Sequence, residues 1–453
     1  MELDDRAGYR TDIAYPAHFH PEQAPAWLAA VLAALGHAPP APAAWCEIGC
    51  GDGLGALILA AANPEVQFTG IDLNPAHIAA ARARAAAARI GNIRFLCADL
   101  REIGPLPARF SHIVSHGMLS WVGADVRAAF AAFAAAHLAP GGVVAVQYMS
   151  APGGAALRAF HTVLRQMAGR SDPVAEGLAL LREMRAAQAG FFQLHAHVGA
   201  ALDQLLAMDP AYIAHGYMNP VFEPLAFAEV AASFAAVGLE WQGSATPIEN
   251  ADALSLPAAC LPQIAATPDP VLRETLKDIA RNQTTRYDLF AAPAPAKGPA
   301  DHLRLLDARV WGLLPGAPVP EGLRFETRIG PVEGDARILG PLLQRLAQGP
   351  ARFGELLRLP AFAGRPAVLN QCLLLLLSAH ILHPVQRFGP PGAAARLNRL
   401  LLAGDAPVPA LAAPALGSGR ALTPELRQAL RSGAGPAPLR QMFALDVEAR
   451  TLP

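Results

Sequence analysis

Charge is scarce in this sequence. Asp, Glu, Lys and Arg make up 16% of its 453 residues and nearly cancel, leaving a net charge of −1. Without a global field, nucleic acid and anionic membranes are poor candidate partners. The arginines at 82, 84, 89, 94 and 101 form a local group, read as a solvated helix face. Cysteine is sparse too: five residues, at 46, 50, 97, 260 and 372, with no CxxC spacing. An odd, scattered set fits a reducing cytoplasm rather than a disulfide framework. The opening "MELDDRAGYR" is polar and acidic and does not read as a targeting sequence. No apolar run reaches bilayer length, and the leucine tract at 371–380 reads as a buried helix, so membrane insertion is not expected. Apolar residues are abundant instead, at 53%, much of it alanine. A chain of this length and composition is globular and holds two or three cores.

Periodicity organises the first 290 residues as alternating helix and strand. A helical stretch at 21–36 ends in glycine. Strands follow at "AAWCEIG" (43–49), "VQFTGIDLNP" (66–75), "IRFLCADL" (93–100), "FSHIVSHG" (110–117) and "GGVVAVQYMS" (141–150). Helices over about 54–62, after Asn74-Pro75 and around 126–138 separate them, with Asn74 and Pro75 as N-cap and first helical residue. Such alternation implies an α/β, doubly wound and mostly parallel sheet. A helical insertion over about 151–223 follows strand five, at the sheet end where open α/β sheets bind ligands. A further helix and strand over 224–247 and a last strand near 281–293 close the unit. The Pro/Ala-rich stretch ending at 301 marks a boundary. This gives a domain over 1–293, a linker over 294–301 and a mostly helical C-terminal domain over 302–453. Three short helices and an extended segment make that last part winged-helix-like. Its third helix is nearly solid leucine, which favours a regulatory or protein-packing role over DNA reading.

The chemistry concentrates in "CEIGCGDGLG" (46–55). A dinucleotide loop would read GxGxxG, but the third glycine position is Leu54. The pattern is Glu47, then glycines at 49, 51 and 53, as in Rossmann-like enzymes of S-adenosyl-L-methionine (SAM). Bare backbone at Gly49 and Gly51 admits the methionyl part and ribose. Asp72 ends the second strand, where its carboxylate can accept from both ribose hydroxyls; Asp99 ends the third, placed for an adenine amino group. Their neighbours Cys50, Leu73 and Leu100, and Ser115 at the fourth strand end, complete the candidate cofactor site.

"YPAHFHPEQAPAWLAAV", "GIDLNPAHIAAARA", "SHGMLSWVGADVRAAF", "HGYMNPVFEPLAFAEVAASFAAVGLEWQG" and "IARNQTTRYDL" together resemble class I SAM-dependent methyltransferases that carry a methyltransferase regulatory domain. That group includes rickettsial protein-lysine methyltransferases. The resemblance covers most of the chain, with a regulatory-type segment over about 211–293, and extends to "APALGSGRALTPEL". It implies a Rossmann-like sheet, SAM as cofactor and SAM contacts from Glu47, Gly49, Gly51, Asp72 and Asp99. It also makes the segment with Tyr15, Phe19 and His20 a cover over the cofactor, with core packing as the alternative. "QYMSAPGGA" departs from the family, which tends to have Tyr-Asn and Pro-Gly-Trp there.

Methyl transfer needs alignment, exclusion of water and a deprotonated nucleophile. A lysine is neutral only about once in 2,500 at pH 7, a cost of roughly 4.6 kcal/mol. His116 is a candidate base, and Trp121, Tyr217 and Glu223 are candidates to face the methyl group, with Asn219 and Tyr148 beside them. The Asn/Asp-Pro-Pro-Tyr motif of nucleobase and glutamine methylation is absent after strand four. The pairs His18/His20 and His195/His197 lack a third ligand, so no metal is expected. The acceptor is a protein lysine or a small metabolite. The alternatives are a non-catalytic SAM-binding regulatory protein and a ligand-sensing transcription factor.

Overall fold

The computed structural model describes residues 5–6, 9–10, 16–386, 391–406 and 408–447. Its centre is one mixed sheet built from β1 (Ala44–Ile48), β2 (Gln67–Asp72), β3 (Ile93–Cys97), β4 (Phe110–Ser115), β5 (Leu138–Met149), β6 (Glu240–Ser244) and β7 (Thr285–Ala291). The spatial order is β3-β2-β1-β4-β5-β7-β6. The first five strands are parallel, and β7 runs antiparallel between β5 and β6. Periodicity finds that last strand but not its direction or its place inside the sheet.

Local chemistry sets the helix limits. Pro21 and Pro25 divide the expected 21–36 helix into a short 3-10 turn and α1 (Pro25–Ala34), because Pro25 has no N–H to continue the first segment. The α2 helix (Leu54–Ala62) is buried along nearly its whole length against the sheet. The start of α3 (Pro75–Ala87) is capped by the Asn74 side chain, which accepts from the Ala76 N–H at 2.9 Å. The α4 helix (Ala124–His137) leads into β5. The arginine group is more than a solvated face: Arg82 donates to the Phe95 carbonyl, Arg84 pairs with Asp52, and Arg94 reaches Thr69.

The insertion after β5 carries α5 (Arg158–Gln166), α6 (Pro173–Ala186), α7 (Ala196–Leu206) and α8 (Pro210–Tyr217) around its own core of Phe160, Leu164, Leu178, Leu202 and Ile213. Its entrance is stitched to the sheet by Ala151 N–H to Leu225 O and Gly153 N–H to Gln283 O. A Cβ at Gly153 would lie 2.4 Å from the Asn282 carbonyl, so the "APGG" turn requires glycine there. Beyond the insertion lie α9 (Phe227–Ala235) and α10 (Pro270–Arg281).

Between α10 and the sheet, Arg286 is buried against Asp278 and Asp288, with Glu274 at 3.3 Å and the Phe227 ring 4.2 Å beneath the guanidinium. Tyr148 and Trp241 donate to the two Asp288 oxygens at 2.6 and 2.8 Å. This network accounts for the "TTRYDL" stretch: it locks β5, β6 and β7 together from within. Tyr148 is thereby spent on the core and is not a site residue.

The C-terminal part contains α11 (Pro299–Asp307), β8 (Val310–Leu313), the hairpin β9 (Arg324–Thr327) and β10 (Gly330–Glu333), α12 (Ala336–Ala347), β11 (Ala351–Arg352), α13 (Phe353–Leu357), α14 (Pro366–Ser378) and β12 (Leu382–Pro384). Antiparallel pairing puts β8 between β11 and β12. After α15 (Gly392–Ala403), a second hairpin joins β13 (Ala410–Ala413) to β14 (Ser418–Ala421). The leucines at 373–377 are all buried, and Leu373, Leu375, Leu376 and Leu377 share one apolar cluster with α1 and α2. That helix is committed to packing.

Candidate functional site

A cavity of about 340 Å³ opens at the carboxyl ends of β1 to β4 and extends under the insertion. Its floor is the glycine turn between β1 and α2. Gly49, Gly51 and Gly53 take φ of +75°, +54° and +71°, which side chains rarely adopt. Gly53 also brings α2 against α3: a Cβ there would sit 2.5 Å from the Phe95 ring and 2.7 Å from Ala81. Asp72 clamps the turn, accepting from Gly51 N–H and Asn74 N–H, both at 2.8 Å. Each of its oxygens keeps a further lone pair for a ligand hydroxyl. Asp99 also lines the cavity and is held by Arg101 at 2.7 Å, which lowers its carboxyl below the usual range.

Of the cofactor residues expected from sequence, Gly49, Gly51, Asp72, Leu73, Asp99 and Leu100 line this cavity. Glu47, Cys50 and Ser115 do not; they stand behind its wall. Ser115 donates to the Ile48 carbonyl at 2.9 Å, and the Cys50 thiol is buried under the turn, pushed up by burial and by Asp72. Glu47 Oε1 accepts from Gln23 at 2.9 Å, while its buried Oε2 has no hydrogen-bond partner among the described residues. Burial, chiefly, pushes its carboxyl up to about 7. An open glycine turn, a carboxylate with spare acceptor capacity and an unpaired acidic oxygen behind them suit a ligand bearing hydroxyls and a cationic amine. SAM fits that description.

The other half of the cavity is aromatic. Trp121, Tyr217 and His116 line it, as do Tyr212, His215, Met208, Gln147, Thr284 and Thr285, which sequence reasoning missed. A signal existed for some: Tyr212, His215 and Gly216 fall at helical spacing on one face of α8. Trp121 donates from its indole to Gly216 O at 3.0 Å, and buried Asn219 donates to Trp121 O at 2.9 Å and to Val221 O. This bracing accounts for the "SWV" and "NPVFEP" stretches as two sides of one joint. Glu223 does not line the cavity. It turns outward to pair with Arg127 at 2.9 Å, while its N–H bonds to Ser120 O. Its candidate place facing the methyl group is therefore corrected to the outside of that joint.

His20 stacks on His116, with ring centroids 3.3 Å apart and planes 13° from parallel. Burial lowers both imidazoles, His20 to about 3 and His116 well below its usual value, each further lowered by a neighbouring histidine. Both rings are neutral at physiological pH. His116 is thus a poor store for a proton, though a good apolar wall. Tyr15 lies outside the described residues. No three His, Cys, Asp or Glu among the described residues are grouped to hold a metal ion.

The strand order, the glycine turn after the central strand and acids at the next two strand ends define a class I methyltransferase fold, whose cofactor is SAM. Residues 46–142 match the methyltransferase domain family, and residues 209–292 match the predicted methyltransferase regulatory domain. The chain thus has a class I methyltransferase fold, with a segment that matches the methyltransferase regulatory domain family. It is 31% identical over 320 residues to an uncharacterized protein of Synechocystis sp., covering 69% of this chain and 63% of that one. A trans-aconitate 2-methyltransferase of Methylobacterium nodulans is 30% identical over 164 residues, covering 36% of this chain and 57% of that one. The chain thus spans less than two thirds of these curated relatives. Among solved structures, PKMT2 from Rickettsia typhi in complex with AdoHcy superposes with a TM-score of 0.71 at 17% identity, covering 97% of this chain and 92% of that one. No helix among the described residues is long and apolar enough to cross a membrane.

Proposed function

We propose that the protein is a SAM-dependent methyltransferase that N-methylates lysine side chains of a protein acceptor. One observation carries the choice of acceptor: the sequence has 36 lysines and arginines, yet none among the described residues lines the cavity. A polycarboxylate such as trans-aconitate would find no counter-charge there, and burying anions without one is costly. An amine on an alkyl stem instead meets Trp121, Tyr217, Tyr212, Met118 and Met208, which pack on the stem and tolerate a cation on their π faces. The Rickettsia typhi neighbour supports the same class. Met208 is 41% exposed at the rim, so the cavity opens beside apolar surface of the kind that a polypeptide can cover.

Bound there, SAM supplies an electrophilic methyl group on a sulfonium. The chain's own task is to hold the amine in line and strip its proton. The neutral histidine pair and the aromatic walls exclude water, and this desolvation lowers the amine's pKa. The proton leaves to solvent as the amine is buried, because burial leaves neither His20 nor His116 basic enough to keep it. We read residues 302–453 as a regulatory or interaction module attached to this enzyme. Methyl-labelled SAM incubated with the protein and a lysate of its source cells tests the reading. Base-stable label in acid-precipitable protein is expected, whereas label confined to small molecules would overturn it.

A further inference from the structure

Two segments of the cavity wall are held from outside by the C-terminal part. The first is the extended stretch at 18–20. His18 and His20 line the cavity, and His20 has φ −118° and ψ 101°. Side chains in extended backbone alternate, so Phe19 turns the other way. There its ring sits where a Cβ of Gly419, in β14, would be: 2.7 Å from that position, with Ile58 of α2 at 2.6 Å. The hairpin carrying Gly419 is fixed to α2 by Asn63, which donates to Gly417 O at 2.9 Å.

The second is Thr284-Thr285, where the chain enters β7. Arg328, in the turn between β9 and β10, donates to both hydroxyls, at 2.8 and 2.9 Å, and leans on Glu249 at 3.8 Å. Both threonines line the cavity on its acceptor side. Arg328 spans 43 and 44 residues of sequence to reach them and remains 41% exposed. A partly exposed arginine is thus placed on two cavity hydroxyls at once.

We propose that the C-terminal part positions the acceptor half of the active site through these two contacts, with Arg328 and Phe19 as positioning residues for methyl transfer. Arg328 fixes the directions in which the two hydroxyls face the acceptor. Phe19, wedged against Gly419, fixes His18 and His20. The inference rests on the methyltransferase reading for its kinetic consequence but not for its structural one.

The test uses the full chain with Arg328→Ala, Arg328→Lys and Phe19→Ala, each with three readouts: SAM affinity by calorimetry, backbone hydrogen exchange, and methylation of poly-L-lysine. Loss of two hydrogen bonds to a charged donor predicts exchange at 284–287 faster by about tenfold in Arg328→Ala. SAM affinity should hold within about twofold, KM for poly-L-lysine should rise about fivefold with little change in kcat, and Arg328→Lys should recover part of both effects. Phe19→Ala should accelerate exchange at 18–23 and spare 284–287. Unchanged exchange at both segments would overturn the proposal, as would SAM affinity and melting temperature falling together. If wild-type protein leaves poly-L-lysine unmethylated, the lysine reading is at fault, and the exchange data still decide the positioning role.

Discussion

Replacing Asp72 with alanine is the sharpest probe of the cofactor half. The carboxylate does two jobs: it accepts from Gly51 and Asn74 N–H at 2.8 Å, and it offers its remaining lone pairs to the ligand's hydroxyls. Hydrogen bonds to a charged group contribute about 1.5–3 kcal/mol each. Losing two ligand bonds therefore costs about 3 kcal/mol, on the order of a 100-fold weaker Kd. Losing the two backbone bonds costs about 3 kcal/mol of folding stability, so binding and melting must be measured side by side. Asn74→Ala is the control. It removes the cap of α3, worth about 1 kcal/mol, without touching the ligand, so it should melt earlier and bind normally. The assay is calorimetric titration of SAM and S-adenosylhomocysteine into each variant. The two ligands share their hydroxyls, so both should weaken equally. Asp72→Ala binding within about threefold of wild type would refute the assignment. Selective loss of SAM alone would move Asp72 from the ribose to the sulfonium.

Two further outcomes follow from the same loop. The Glu47 carboxyl sits near 7 in the folded protein against an ordinary 4.5, so the folded state holds its proton more tightly than the unfolded one. Its contribution is complete below about pH 4.5 and lost as pH rises through 7; the 2.5-unit gap corresponds to about 3 kcal/mol. The stability of Glu47→Gln relative to wild type should thus climb between pH 5 and 8.5 in denaturant titrations, and a pH-independent difference would contradict this. Gly53→Ala combines a left-handed φ of +71° with contacts of 2.5 and 2.7 Å, and should cost about 3 kcal/mol by melting. Gly55→Ala, whose nearest neighbour is His18 O at 3.7 Å, should be neutral or stabilising. Equal effects at the two glycines would show that packing against Phe95 is not what position 53 requires.

The sheet was legible because buried strands and capped helices leave strong local signals. The α2 span and the Asn74 cap could be read directly, since apolar runs, proline and glycine act within a few residues. What stayed hidden depends on partners far apart in sequence. The antiparallel insertion of β7 rests on Arg286 and its acids, and an arginine in a polar-looking stretch gives no sign of burial. Glu223 read as a site residue because it lies at the insertion's exit, and only Arg127 decides that it faces away. Glu47 and Ser115 occupy motif positions, yet their side chains stand behind the cavity wall, bonded to Gln23 and to the Ile48 carbonyl. Thr284 and Thr285 carried no chemical signature at all; their importance comes from the cavity in front of them and the arginine behind.

The joint between Trp121 and Asn219 bears on traffic through the site. The insertion's exit is fastened there, and its entrance is fastened through Gly153 to the Gln283 carbonyl, just before β7. Both ends of the insertion are thus tied to the frame. On the proposed function, the open way to the cavity is then the rim where Met208 faces solvent, 41% exposed. Such an architecture ties both ends of the acceptor wall to the frame that carries the cofactor turn. It admits slender or unfolded acceptors at the rim more readily than folded surfaces, which would need the whole wall to move aside.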